Sequence, residues 1–441
     1  MRLRSLLIAA LVLICFWVGP LPLPLASARI YIDINSPFAQ QFPLAVPEMK
    51  PLAGPTGAEA AAGLVATLRS DMDLSGLFQL LDPKGFLEDP TTMGLTADQT
   101  NFQAWSMVGA DFLVKGGFQS DGQRFQCELR LFDVKRAQLL VGKRYSGTVN
   151  DFRLMAHRFA DEIMKQITGQ EGPFSTRLAF VSTVSANKEI FVADFDGGEP
   201  KQLTRYKSIT LAPVWAPGGQ GLVFTSYKDG QPFLYQADLA SGKVRRLSGY
   251  KGLNIGGAFS PDGQNLVVTL TKDGDPELYL LTAQGQVVRR LTNSPGIDVS
   301  ASFSPNGRQI VFVSDRHGGP QLFIMNLADG ATRRLTFEGN YNTSPAWSPR
   351  GDRIAYEGMR DGQFNICTIA PDGRDFQQLT RNQGNNEEPS WSADGRMIVF
   401  SSTREGGSAI YSMTANGGNV RRIIKLQGKQ TSPTWSGRLW R

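Results

Sequence analysis

The chain has 441 residues, 41% of them apolar, with 47 glycines and 25 prolines. This excludes a disordered or collagen-like polymer and points to a folded protein rich in tight turns. Its formal charge is +6, or +4 without Arg2 and Arg4, too mild for a nucleic-acid binder, which needs clustered basic side chains.

In chain order, the first element is a leader. Arg2 and Arg4 precede an apolar run over residues 6–18, and Ala26-Ser27-Ala28 forms a small-residue cleavage signal, which together read as a secretory signal peptide, residues 1–28. The run is too short to span a membrane, and no other stretch approaches that length. The mature protein is therefore expected to begin at Arg29, to be soluble and to work outside the cytoplasm. Two cysteines then remain, Cys127 and Cys367. A disulfide between them stays open; both also fit as small buried hydrophobes.

Residues 29–172 form a domain without internal repeat. It opens on a strand-like Ile30-Tyr31-Ile32-Asp33-Ile34 and a proline-studded stretch. Ala61, Leu64, Val65, Leu68 and Met72 then follow helical spacing, and residues 105–110 suit a short helix. Residues 112–114 read as a strand and Ser120-Asp121-Gly122 as a hairpin turn. Phe125, Cys127, Leu129 and Leu131 alternate with polar neighbours like a half-buried strand, which residues 139–145 would partner. Asn150 or Asp151 caps a last helix, with stripe Phe152, Met155, Phe159, Ile163 and Ile167, that ends at Gly169. A small α/β layer follows, with helices over one face of a mixed sheet. The six-residue junction at 169–174 is too short for a free tether, so the two domains should pack together.

From residue 173 onward one motif recurs every 44 residues: Trp215-Ala-Pro-Gly-Gly, Phe259-Ser-Pro-Asp-Gly, Phe303-Ser-Pro-Asn-Gly, Trp347-Ser-Pro-Arg-Gly, Trp391-Ser-Ala-Asp-Gly and finally Trp435-Ser-Gly. Three more anchor sets keep the same step, for example Phe180 to Phe400, Phe191 to Tyr411 and Leu203 to Ile423. Four anchors per period mean four strands per period, which is a β-propeller blade. The expected fold is an all-β six-bladed β-propeller (residues 173–441) preceded by a small α/β domain. The first unit lacks an inner strand and the last motif has nothing after it, so residues 431–437 should pair with the first blade and leave no free edge.

Antiparallel neighbours put successive links on alternate faces of the disc. One face gathers the Ser-Pro-x-Gly turns and Asp-Gly turns such as Asp196-Gly-Gly198, in which nothing looks chosen for a partner. The other gathers variable links into each inner strand (206–211, 250–255, 295–299, 339–343, 384–388, 428–432) and the turns where Lys228, Lys272, Arg316, Arg360 and Arg404 share one position. That basic ring reads either as a docking surface that steers an acidic partner or as ordinary turn chemistry. The Trp/Phe ladder reads as inner-strand core.

An enzyme is disfavoured. His157 and His317 are the only histidines and fall in different domains, Gly-x-Ser-x-Gly is absent, and Asp262 and Asp394 sit in tight turns. His157 should pack or cap between the domains. No cofactor, metal or nucleic acid is expected, and the chain is read as a monomer.

With these residues in place the chain resembles the TolB family, the periplasmic propeller proteins of the Tol-Pal envelope system. The resemblance rests on Asp71-Met-Asp73-Leu-Ser-Gly-Leu-Phe78, His157-Arg-Phe-Ala-Asp161, Thr168-Gly-Gln-Glu-Gly-Pro-Phe174, Arg177 to Ser182, and the six blades. It implies a non-enzymatic adaptor that binds the peptidoglycan-associated lipoprotein Pal on the variable face and TolA through its mature N-terminal segment, in support of outer-membrane integrity and constriction at division. Carried over by position, the Pal contacts fall at Leu253, Gly256, Val299, Ser300, Thr343 and Glu388, beside the basic ring. The TolA segment is Arg29, Ile30, Tyr31, Ile32, Asp33, Ile34 and Asn35. A different class remains open: a secreted propeller that binds or processes a saccharide or peptide in its central channel.

Overall fold

The computed structural model describes residues 41–90 and 92–438; the leader at 1–28 and the segment at 29–35 lie outside the described residues. The front domain is a mixed sheet of β1 (Phe42–Ala45), β2 (Lys50–Pro51), β3 (Phe78–Leu80), β4 (Phe112–Ser120), β5 (Arg124–Asp133) and β6 (Gln138–Thr148). The strand order is β3-β1-β4-β5-β6, with β2 also beside β4. Pairing is parallel from β3 through β4 and antiparallel from β4 to β6. Helices α1 (Ala58–Leu74) and α3 (Phe152–Thr168) pack against each other, and α3 lies against the sheet. Their stripes Leu64, Leu68, Met72 and Phe159, Ile163 are buried. Gly63 permits the close approach: a Cβ there would sit 2.7 Å from the Phe152 ring.

Two details differ from the sequence reading. The short helix α2 runs Phe102–Met107, because Asn101 caps it by accepting from the Ala104 amide. At α3, a 3-10 turn (Val149–Asp151) comes first, and the capping box joins Thr148 to Asp151. The earlier oxygen satisfies amides that would otherwise be orphaned at the helix start.

The remainder is six four-stranded sheets. The second blade shows the plan: Thr210–Trp215, Gly221–Ser226, Phe233–Asp238 and Val244–Ser248 from the axis outward. The first blade takes its inner strand, Gln430–Trp435, from the far end of the chain, with Gln430 opposite Ser182 and Trp435 opposite Leu178. Trp435 also donates Nε1–H to Thr176 Oγ1 at 2.7 Å, which ties the closing strand to the start of the ring. The ladder is core, as its apolar character requires: the four tryptophans from 215 to 435 are 5–8% exposed. Trp215 and Trp391 each donate to a carbonyl of the preceding inner strand, Thr434 and Ala346.

Every inner strand carries a bulge midway. Ala212, Ser300, Ser344, Glu388 and Ser432 occupy it at positive φ, a conformation costly for residues other than glycine and therefore held in place by the surrounding ring.

The face bearing the Asp-Gly turns is not bare. The front domain sits on it: Arg153 of α3 reaches Asp194 and Asp196 of blade 1, Asn419 and Arg421 of blade 6 grip the end of α1 at Asp73, and Arg396 donates to Thr168. The turns read as partnerless are this domain's seat, because their short polar tips present carboxylate acceptors to Arg153 and amide and guanidinium donors to helix ends.

Candidate docking surface

The opposite face carries the expected basic positions, but they do not form a free ring. Arg316 forks onto both oxygens of Asp298 at 3.0 and 2.9 Å, and Asp298 is fully buried; its guanidinium lies 5.1 Å from the Phe323 ring. Arg404 donates to Asn386 Oδ1 and Ser402 Oγ, both at 2.9 Å, over Tyr411. Arg360 donates to Asn342 and to the Met359 and Glu338 carbonyls. Lys228 and Lys272 pair with the adjacent Asp229 and Asp273 and lie over Tyr235 and Tyr279. Each cation folds inward on the aromatic of its own blade, where charge and ring face attract. Its field is spent inside the turn.

The three arginines hold Asp298, Asn342 and Asn386, members of a set of residues the sequence reading passed over. Thr210, Asn254, Asp298, Asn342, Asn386 and Gln430 open the six inner strands, recur at the same period, and are all fully buried. Asn254 donates to the Tyr250 carbonyl at 2.7 Å, Asn342 to Glu338 at 3.0 Å, and Gln430 to Gly428 at 2.8 Å. They fasten the variable links, since a buried polar group must be satisfied. The signal was present as a polar position of constant spacing in an apolar repeat.

The six positions carried over by resemblance separate. Leu253 lies on a link, half-buried. The inner strands begin at Asn254, Asp298, Asn342 and Asn386, so Gly256, Val299, Ser300, Thr343 and Glu388 stand inside them and not on the links. Gly256, Ser300 and Glu388 line the central channel, a cavity of ≈ 1180 Å³. Val299 packs against the hydrophobic core that its own blade shares with the next, and the Thr343 hydroxyl donates to Glu357. Glu388 accepts from the Ser432 amide and hydroxyl at 2.5 and 2.8 Å, and its own amide donates to Glu357 at 2.8 Å. Burial pushes the Glu357 carboxyl up, and burial with repulsion from Glu357 and Glu388 does the same to Glu387. The side chains that remain in water on this face are those of the links themselves, including Ile209, Tyr250, Ile297, Tyr341 and Phe337, the last 74% exposed.

Between the domains lies a second constellation. His157 Nδ1 is 2.8 Å from Asp71 Oδ2, its Nε2 is 3.7 Å from Asp194, and its ring meets Phe195 edge-on. Burial opposes charge on His157, but Asp71, Asp194 and Asp196 outweigh it and raise its pKa, so the imidazolium persists at neutral pH. Asp71, His157 and Asp196 have ligand atoms within 4.8 Å of one another, a metal-like grouping the sequence reading did not assemble. Arg153, however, takes both oxygens of Asp196 at 2.8 Å and His157 takes Asp71, so the cluster is an ion-pair latch. Nearby, Asp161 accepts from the Phe174 and Ser175 amides at 2.9 and 3.0 Å; burial raises its carboxyl to about 7. Cys127 and Cys367 are buried free thiols, in the front domain and blade 5.

Comparison with known proteins agrees with this architecture. Residues 164–439 match the model described as the TolB beta propeller domain, and residues 30–140 match the TolB amino-terminal domain. The Tol-Pal system protein TolB of Syntrophotalea carbinolica is 42% identical over 206 residues, 47% of this chain and 48% of that one. Its counterpart from Desulfosudis oleivorans is 45% identical over 230 residues, 52% and 51% of the two chains. The chain thus spans about half the length of the curated relatives it matches. The crystal structure of TolB from Acinetobacter baumannii superposes with a TM-score of 0.78 at 26% identity, covering 90% of this chain and 97% of that one.

Proposed function

Since the chain belongs to the TolB family, and so is a non-enzymatic component of the Tol-Pal system, we propose that it works in the periplasm as an adaptor between two protein partners. Pal docks on the propeller face that bears the variable links, and TolA takes the mature N-terminal segment, residues 29–35. Through these contacts the protein supports outer-membrane integrity and the constriction of the envelope at division. The observation that carries this reading is the division between the faces: one is seated under the front domain by Arg153, Asn419 and Arg421, and the other presents its links to solvent.

The position of Gln41 supports the second contact. This residue lines a cleft between the front domain and blades 5 and 6, together with Leu77, Arg353, Trp391 and Asn419, and residues 29–35 lie a few positions upstream. A segment with Ile30, Tyr31, Ile32 and Ile34 is costly to leave in water, so it is held by its own protein in one state and offered to a partner in another. Among the described residues no helix is long and apolar enough to cross a membrane.

Affinity capture from a solubilised envelope tests the adaptor reading: an acylated lipoprotein should be recovered with the chain, whereas turnover of a saccharide or peptide without such capture would overturn it. For the N-terminal contact, removing residues 29–35 should abolish measurable TolA binding by calorimetry while Pal is still captured. Undiminished TolA affinity would rule the segment out.

A further inference from the structure

With the ring of clamped cations neutralised, the charge that remains on the link-bearing face is unevenly spread. Lys188, Arg205, Lys207, Lys251, Lys425 and Lys429 are all exposed and make no ion pair among the described residues. They occupy successive positions around the ring. Residue 429 is hydrogen-bonded to Thr183 in the turn that ends at Lys188, and the Lys188 carbonyl accepts from Thr210, next to the Arg205–Lys207 link. The links at 183–188, 205–209, 249–253 and 425–429 contain no Asp or Glu. Across the disc the sign reverses. Asp275, Glu338 and Asp361 are exposed without an ion pair, half-buried Asp315 caps the Ile297 amide, and Arg381, exposed in the link between blades 5 and 6, marks the border with the cationic arc.

A disc of six equivalent blades offers a partner six nearly equal rotations. Backbone geometry does not choose among them, because the inner strands and their bulges repeat. Long-range charge does, since opposed patches act on an approaching protein before contact. We infer that the arc of cations over blades 6, 1 and 2, set against the acidic arc over blades 3 to 5, fixes the rotational register in which a protein with an acidic patch docks on this face. The exposed Val184, Ile209 and Tyr250 within the basic half supply the apolar contact that such an interface encloses in a charged rim. This rests on the reading that Pal uses this face.

The test is association kinetics of the mature chain with purified Pal across a salt series. The triple variant K207E/K251E/K429E should associate at least about 10-fold more slowly at low salt and lose most of the salt dependence of the wild type. A photo-crosslinker placed at Ser185 should capture Asp- and Glu-rich peptides of Pal, and one at Asn340 should capture different ones. Wild-type binding with an unchanged on-rate in the triple variant, or the same peptides from both positions, overturns the register while leaving the docking face intact. Failure of the wild type to bind Pal at all removes the face itself. Wild-type binding to phosphatidylglycerol vesicles that the triple variant loses, with Pal association untouched, would reassign the arc to lipid and also overturn the inference.

Discussion

Two kinds of cation share the link-bearing face, and burial of the counter-charge separates them. Arg316 answers Asp298, a carboxylate with no exposure to solvent; removing the arginine would strand a buried charge, at about 3–5 kcal/mol. Lys228 answers Asp229, which is largely in water, so its loss should cost under about 1 kcal/mol. Urea denaturation of Arg316→Ala and Lys228→Ala should show this contrast, and equal midpoints would refute it. His157 belongs with Arg316. Its replacement by Ala leaves Asp71 buried without its cation and should likewise cost about 3–5 kcal/mol. Because the folded protein favours the imidazolium, that stabilisation is complete below the ordinary imidazole value near 6.5 and is lost as pH rises toward the higher folded value. A falling thermal midpoint on the alkaline side of that value, with the slope much reduced in His157→Gln, is the expected result.

Among the elements, legibility followed periodicity. The blade strands could be read because apolar anchors recur every 44 residues, and α1 and α3 because their stripes follow a helical turn. The bulges at Ala212, Ser300 and Ser344 could not, since neither alanine nor serine advertises positive φ; the ring imposes it. The start of each inner strand was misplaced by a few residues because Asn254, Asn342 and Asn386 look like loop residues, yet they are buried as link fasteners. The same error put Val299, Thr343 and Glu388 on the links, whereas they stand inside the inner strands. The inward folding of the clamped arginines was not legible, because the partners of Arg316, Arg360 and Arg404 lie 18 positions earlier in the chain, at Asp298, Asn342 and Asn386, pairings that only the folded hairpin brings together. For the closing strand, Trp435→Ala should cost about 3–5 kcal/mol through the cavity it leaves. It should also expose amides of Arg177–Ser182 to hydrogen exchange ahead of those in blades 3 and 4. Uniform exchange across the blades would contradict a weakened seam.

Taken as a whole molecule, the chain separates two tasks by face. One side is anchored through a buried histidine, Arg153, Arg396 and Arg421, and the capped junction at Phe174, and the other is left to side chains of the links. Of the latch at Asp71, His157 and Asp196, the sequence offers only a packing or capping role for His157 between the domains. Its acidic members come from α1 and from a blade-1 turn, 86 positions before His157 and 39 after it, so no local pattern could join them.

The strand that completes the first blade is synthesised after every other strand of the ring. Until residue 435 is available, Arg177–Ser182 has an unpaired edge, the ladder that joins Gln430 to Ser182 cannot begin, and about 250 residues of intervening chain must be closed into a loop before that contact is made. A nascent propeller is therefore an open fan with one sticky margin. A premature stop anywhere in the sixth blade would leave that margin permanently available for aggregation or proteolysis.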